Sequence, residues 1–451
     1  MKYVANDCCE FSIFEKGNAK NNLWDPLIGF TESFRIDSVW NFSANAKRKV
    51  VDFDENPFAA FDYSSKKWRA GRWIGSQTNE KHTFIVNPRF GILSLVSLFE
   101  EIFSLNILDN LSDKDINNHI GLFQVLIPFL WAKKLGDANK YGIPRINVDV
   151  LHKGQGVKGR LLVRKSILPF FREKAVVSAT REKQVDATVC RIILQAYQIL
   201  NKKFSKLPQS RFSENALKAL ESFESAQIPD KKVTQAEYNN IQYKAIYQSW
   251  KDVVDLSWEI IQGLAYGQKE SDAKQGFSLF VDMAEIWEMY LRSLLKRKFP
   301  NWHVRSVDES QIPTYDNLFY KRKIIPDIIM ERGNDVMIFD AKWKRMDCTY
   351  KEKSDVDRGD FFQIHTYIQY FKAREKNVKV GGLLYPISKD EFDANQCHAE
   401  HCLGDKNTKF IVDGICFLGK EQSGEANMKE YRVFFNEQVE AFIERIRELA
   451  K

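Results

Sequence analysis

The chain has 451 residues, 44% of them hydrophobic and 28% charged, with a formal net charge of +7. At roughly 100 to 200 residues per domain this length implies two to four domains, and the balanced composition excludes wholesale disorder and collagen-like architecture. No apolar run approaches the roughly 18 residues of a membrane helix, the N-terminus lacks a signal peptide's apolar core, and seven scattered cysteines suit a reducing compartment rather than a disulfide framework. A multidomain α/β and α+β protein of the cytoplasm, with no membrane partner, is expected.

In the first 120 residues the runs FRIDSVWNFS, KRKVVDFD, AGRWIGSQ and HTFIVNPRFG alternate apolar and polar positions, which predicts strands and a β-rich domain over 1–150. Helices are predicted at about 93–105 and 119–134. YGIPRINVDVLHKGQGVKGRLLVRKS then reads as a strand-rich turn region. From about 184 to 267 the pattern is helical: Val185, Val189, Ile192, Ile193, Tyr197 and Leu200 recur at three- and four-residue steps, as one buried face requires. Thr234 with Glu237 forms a capping-box pattern that predicts one helix running on through Trp250 to Ile261. This defines a middle domain over 151–270, closed by the polar break GQKESDAKQG (267–276). Beyond it, over 277–451, the expected order is a helix (278–297), strands (302–308, 323–331, 336–344), a helix (359–374), strands (380–387, 409–418) and a terminal helix (432–450).

Charge is concentrated. Residues 151–184 hold nine basic groups, among them Lys158, Arg160, Arg164 and Lys165, against two acids; the surplus of seven equals the net charge of the whole chain. Such a cluster attracts a polyanion, most commonly nucleic acid, through counterion release. A solvated basic face is the alternative reading.

The stretch KIIPDIIMERGNDVMIFDAKWKR (323–345) carries the chemistry. Two apolar strands flank the turn ERGND, and residues i and i+2 of a strand share a face, so Asp340 and Lys342 point together. Hairpin pairing brings Asp327 beside them. Two carboxylates can hold Mg²⁺, with Mn²⁺ a possible substitute, through hard oxygen ligands. The metal activates water, and the lysine can orient or deprotonate that water or stabilise developing charge on a phosphate. A surface salt bridge at a sheet end is the competing interpretation. Pro229-Asp230 and Asp272-Ala273-Lys274 repeat fragments of the pattern without the strand context. Glu288 lies at the edge of an apolar helix stripe (Met283, Ile286, Trp287, Tyr290, Leu291) and could reach the metal or simply be solvated. Gln363 and Tyr367 share a helix face, with either a site role or a packing role.

Pro326-Asp327 followed by Asp340-Ala341-Lys342 resembles the signature of the PD-(D/E)xK nuclease superfamily, and the surroundings resemble the McrC-like subunits of restriction systems, including the LlaJI type. DMAEIWEMYL (282–291) resembles that family's Asp-Met-x-x-Leu-Phe-Glu helix, with its acid on Glu288; Asp360 to Tyr367 resembles its Asp-x-x-Gln-x-x-x-Tyr helix. Gly382-Leu-Leu-Tyr-Pro386, AGRWIGSQTNEKHTFIVNPRFG (70–91) and VKGRLLV (157–163) resemble further elements, so the likeness spans roughly 65–390. The resemblance implies a restriction-endonuclease-like mixed sheet flanked by helices at the C-terminus. It also implies catalytic Asp327, Asp340, Lys342, Glu288 and Gln363, and a metal held by Asp327, Asp340 and Glu288. Gln363 would lie near the lysine and a DNA phosphate, and Lys344 and Tyr367 would face double-stranded DNA. A McrB-like AAA+ GTPase ring is the implied partner, docked and stimulated by the N-terminal region.

Gly154 to Leu161 approaches a Walker A loop, but arginine and leucine stand where lysine and Ser/Thr are needed, so no nucleotide is expected on this chain. Cys397-His398-Ala-Glu-His401-Cys402 lacks a zinc site's ligand spacing and reads as an exposed loop. The reading is a Mg²⁺-dependent endonuclease subunit of a two-component restriction system. A stand-alone RecB-like repair nuclease and a non-catalytic DNA-binding adaptor are the alternatives.

Overall fold

The computed structural model describes residues 1–14, 23–34, 39–40, 57–78, 82–103, 119–203, 212–265, 279–306, 309–313, 323–344, 357–389, 398–401, 405–418 and 428–451. The strand expected in KRKVVDFD and the break at 267–276 lie outside the described residues. The chain divides into two units, one formed by 1–122 together with 274–451 and the other by 123–273. The sequence pattern predicts three domains instead, at 1–150, 151–270 and 277–451.

The first segment runs β1 (Lys2–Asn6), β2 (Ser12–Phe14), α1 (Asp25–Ser33), β3 (Val39–Trp40), β4 (Ala59–Asp62), β5 (Lys67–Ala70), β6 (Trp73–Thr78), β7 (Thr83–Asn87) and α2 (Gly91–Phe103). Alternation works as expected here: β1 buries Tyr3 and Ala5, and β7 buries Phe84 and Val86. Phe30 of α1 stacks on Phe84 at 4.1 Å and meets Phe58 edge-on at 4.8 Å. Each such buried ring contributes roughly 1.5–3 kcal/mol relative to exposure.

The middle unit contains α3 (His119–Ala138), most of which belongs to it, then β8 (Arg145–Gly154), β9 (Arg160–Leu161), α4 (Val163–Glu173), β10 (Val176–Val185), α5 (Ala187–Lys203), α6 (Glu214–Glu224), α7 (Gln235–Asn239) and α8 (Trp250–Ala265). β10 pairs antiparallel with β8 along ten residues, and with β9 on its other edge. The helices bury Trp131, Val189, Ile193, Phe223 and Trp250. Two expectations are corrected. The basic segment is not all strand: residues 163–173 form a helix although Pro169 lies inside it. Its hydroxyl-bearing Ser166 accepts from Val177 N at 2.8 Å and donates to Val177 O at 3.0 Å, which fastens the helix to β10. The Thr234–Glu237 capping box exists, but it opens only the five-residue α7. Asn239 and Asn240 are weak helix formers, and α8 starts afresh at Trp250.

The chain then runs β11 (Leu279–Asp282), α9 (Met283–Lys298), β12 (His303–Val304), β13 (Ile312–Pro313), β14 (Lys323–Ile324), β15 (Ile328–Arg332), β16 (Asp335–Ala341), α10 (Arg358–Lys372), β17 (Asn377–Ser388), β18 (His398–His401), β19 (Lys409–Phe417) and α11 (Met428–Leu449). The zinc-like motif is therefore no loop: 398–401 is an edge strand paired antiparallel with β19, while Cys397 and Cys402 lie outside the described residues. β11 joins the first segment's sheet, in the order β2-β1-β7-β6-β11-β3. This pairing across some 200 residues of chain is why the first and last segments make one unit.

The second six-stranded sheet has the order β12-β15-β16-β17-β19-β18 and is mixed, with β16, β17 and β19 mutually parallel. Gly333 at φ +62° turns the β15–β16 hairpin. α10 packs Ile364, Ile368 and Phe371 on one face. It comes so close that a Cβ at Gly381 would lie 2.3 Å from Ile368 Cδ1. α9 and α11 bring Trp287, Tyr290 and Phe435 together with Phe417. The chain is thus a mixed α/β protein with a sheet flanked by helices. Among the described residues no helix is long and apolar enough to cross a membrane.

Candidate active site at the end of β16

β15 and β16 pair Ile328 with Phe339, so Asp327 stands just before β15 and opposite Asp340. Val336, Met337, Ile338 and Phe339 are fully buried, which drives this strand through the core. Pro326, which has no N–H to give a ladder, precedes the pairing. Asp340 is 1% exposed and Asp327 5%. Asp327 Oδ2 accepts from the Ala341 amide at 2.8 Å, locking the two strand ends together.

Lys342 leaves β16 with its amide still bonded to Leu384 O on β17 at 2.9 Å. Its ammonium pairs with Asp340, reaches Asp360 Oδ1 at 3.1 Å and donates to Gln363 Oε1 at 2.9 Å. Gln363 Nε2 donates in turn to Tyr367 Oη at 2.8 Å, and that hydroxyl donates to Ile325 O at 3.4 Å. Asp360 also holds Lys344 at 2.9 Å. Three side chains, one from β16 and two from α10, therefore converge on one ammonium.

The electrostatics follow from burial. Desolvation first, then the neighbouring charge of Asp327, push the Asp340 carboxyl up to about 8, against the pull of Lys342. Burial alone would lower the Lys342 ammonium, but Asp340, Asp360 and Asp327 hold it above the usual lysine range. A lysine so held is a hydrogen-bond donor and a positive charge. Two buried, mutually repelling carboxylates are a donor set that a hard divalent cation would neutralise, so Asp327 and Asp340 fit such an ion.

The structure brings Asp327, Asp340, Lys342 and Gln363 together as expected, and Lys344 beside them. Glu288 stands differently. Its carboxylate pairs with Arg292 at 2.6 Å, and that guanidinium also donates to the Asp327 carbonyl oxygen. Among the described residues no group of three or more His, Cys, Asp or Glu side chains could hold a metal, so Glu288 does not join the aspartates in this arrangement. It touches the site through Arg292. Tyr367 is buried and orients Gln363 rather than facing outward. Lys158, Arg160, Arg164 and Lys165 are exposed on the middle unit, with Arg160 paired to Asp149.

Sequence reasoning assigns no role to Asp360 and does not single out Arg292. Asp360 sits in the first turn of α10 behind the Asp357 cap, where an acid is explained by helix polarity alone. The four-residue spacing of Glu288 and Arg292 is the available signal for the second.

Comparison with known proteins supplies a family. The chain matches the model of the family described as McrBC 5-methylcytosine restriction system component over residues 69–386, well over half its length. No curated protein matches it. Among solved structures, a half-complex of Thermococcus gammatolerans McrB AAA+ hexamers with bound McrC aligns at 14% identity and TM-score 0.49, covering 97% of this chain and 100% of that one. The cryo-EM structure of the Thermococcus gammatolerans McrBC complex aligns at 16% identity and TM-score 0.35, covering 66% of this chain and 88% of the other.

Proposed function

The chain belongs to the McrBC 5-methylcytosine restriction system component family as a McrC-like member, and we propose that it is the Mg²⁺-dependent endonuclease subunit of such a system. The observation that carries this reading is the buried pair Asp327 and Asp340 with Lys342 at the open end of β16. A protein has little structural reason to bury two facing carboxylates, since each buried charge costs several kcal/mol unless paired.

Asp327 and Asp340 would hold the Mg²⁺, which supplies an activated water and neutralises phosphate charge when bound. Lys342, kept cationic by its carboxylate neighbours, donates to the scissile phosphate and stabilises the charge that develops there. Gln363, oriented by Tyr367, fixes the direction of that ammonium. Arg292 holds the backbone of Asp327 and keeps Glu288 at hand.

The partner is a McrB-like AAA+ GTPase ring, in line with the family. The middle unit supports a partner by its surface. α4 leaves Val163, Ile167, Leu168, Phe170 and Phe171 exposed, Phe171 at 81%, beside Lys158, Arg160, Arg164 and Lys165. An apolar face with a basic rim suits a protein interface better than a bare phosphate track. We read docking onto this face of α4, whereas the sequence resemblance alone places it in the N-terminal region. Reconstitution tests the whole reading. The chain with its ring, GTP and Mg²⁺ should cut DNA, and omitting the ring or adding EDTA should stop it. Efficient cutting by the chain alone would favour a stand-alone repair nuclease instead.

A further inference from the structure

The residues just past Lys342 are gripped by the sheet of the first segment. β16 makes its last ladder pairing at Ala341, opposite Leu384. Beyond the Lys342 amide the strand has left the sheet, and a strand end carrying a working side chain would fray. It is caught instead. Trp343 is 5% exposed, and its indole Nε1 donates to Asp7 Oδ2 at 2.6 Å. Asp7 Oδ1 accepts from the Arg89 amide at 2.6 Å. Arg89 Nη2 donates to the Lys344 carbonyl oxygen at 3.1 Å, and its guanidinium lies 5.0 Å from the Trp343 ring centre. Phe90 meets the same ring edge-on at 5.9 Å, and Cys8 Sγ reaches the Trp343 carbonyl oxygen at 3.8 Å.

Asp7 follows β1 and is fully buried; Arg89 lies in the turn between β7 and α2 and is nearly so. Asp7 falls before residue 69, where the family match begins. A buried carboxylate and guanidinium are weak stabilisers compared with apolar side chains of similar volume, but they fix geometry, because each donor and acceptor must meet its partner. Here three of the polar bonds, from Asp7, Arg89 and Cys8, end on Trp343 or Lys344, within four residues of Asp340 and next to Lys342.

We propose that Asp7 and Arg89 are positioning residues for phosphodiester cleavage, acting through Trp343 and Lys344 to hold the end of β16 so that Lys342 and Asp340 keep their alignment. This rests on the endonuclease reading above. The N-terminal strands then serve as the outer wall of the nuclease site, and their displacement would disarm it without touching a ligand.

The test uses the full chain with its ring, GTP and Mg²⁺. Trp343→Phe keeps the aromatic packing and removes the indole N–H; Asp7→Asn keeps the shape and removes the charge. Each should lower kcat for DNA cleavage by roughly ten- to a hundredfold, as a misplaced catalytic group does. The KM for DNA and the stimulation of GTP hydrolysis should stay the same. The double variant should lose little more than the worse single one, because both cut the same bond. In parallel, amide hydrogen exchange at 342–344 should speed up in both variants while the amides of 380–384 on β17 keep their protection. Unchanged kcat in both variants would overturn the proposal, as would loss of kcat in step with GTPase stimulation and melting temperature. Unchanged exchange at 342–344 would overturn the clamp by itself. A wild-type chain that cuts no DNA under these conditions would instead overturn the nuclease reading, whatever the exchange shows.

Discussion

Replacing Asp340 by asparagine should stabilise the metal-free protein while removing its activity. The substitution keeps the shape of the side chain, so packing is preserved. It removes a carboxyl whose folded-state pKa lies at about 8 against an ordinary 3.8, because it is buried beside Asp327. The sign is set by that direction. A raised folded pKa means the wild-type fold is favoured where the carboxyl is neutral in both states, below about 4. The benefit is lost as pH rises through about 8. In that window the penalty grows by about 1.4 kcal/mol per pH unit, reaching roughly 4 kcal/mol by neutral pH, and Lys342's loss of a partner brings the expected gain to about 2–4 kcal/mol. Urea unfolding in EDTA at pH 5 and pH 8 reads this directly. The variant should exceed the wild type by a small margin at pH 5 and a large one at pH 8. Mg²⁺ should shrink the difference, since a ligand at 100 times its Kd stabilises the wild type by about 2.7 kcal/mol and the variant scarcely at all. A wild type and variant whose difference is the same at both pH values would refute the buried-pair reasoning.

Lys342→Ala should lose cleavage yet keep metal-induced stabilisation in thermal melts; equal loss of both would make the lysine a structural residue. Gln363→Ala should lower cleavage by roughly ten- to a hundredfold, through loss of orientation of the ammonium, and Tyr367→Phe by less, as single-turnover rates will show. Phe171→Asp with Leu168→Asp should abolish stimulation of the ring's GTP hydrolysis without altering the melting temperature, both side chains being largely exposed. If Lys158, Arg160, Arg164 and Lys165 instead bind DNA, neutralising two of them should flatten the salt dependence of binding by about 0.9 log units for each phosphate they had neutralised, and an unaltered slope in a filter-binding titration would rule that out.

The parts legible in the sequence are those written in short-range pattern. The hairpin of β15 and β16 can be placed because two apolar runs flank a glycine turn, and its strand end puts Asp327, Asp340 and Lys342 together. α10 follows from apolar spacing, and with it Gln363. What the sequence leaves hidden is set by distance along the chain. β11 pairs with β6 some 200 residues away, so the first segment looks like a separate domain. Asp7 and Trp343 are 336 positions apart, and nothing local marks either as a partner. α4 is masked by Pro169, because the loss of one N–H is tolerated where the helix is tied to β10 through Ser166. Glu288 is legible as an acid at the edge of a buried stripe, but the guanidinium one turn away claims its carboxylate.

Cleavage of DNA by the reconstituted complex carrying Asp340→Ala, with GTP hydrolysis by the ring measured in the same reaction, tests the central claim most directly. Cleavage should vanish while the chain stimulates GTP turnover as the wild type does, because the strand-end site and the docking face lie on different units. Cleavage at the wild-type rate would show that Asp327, Asp340 and Lys342 are not the nuclease.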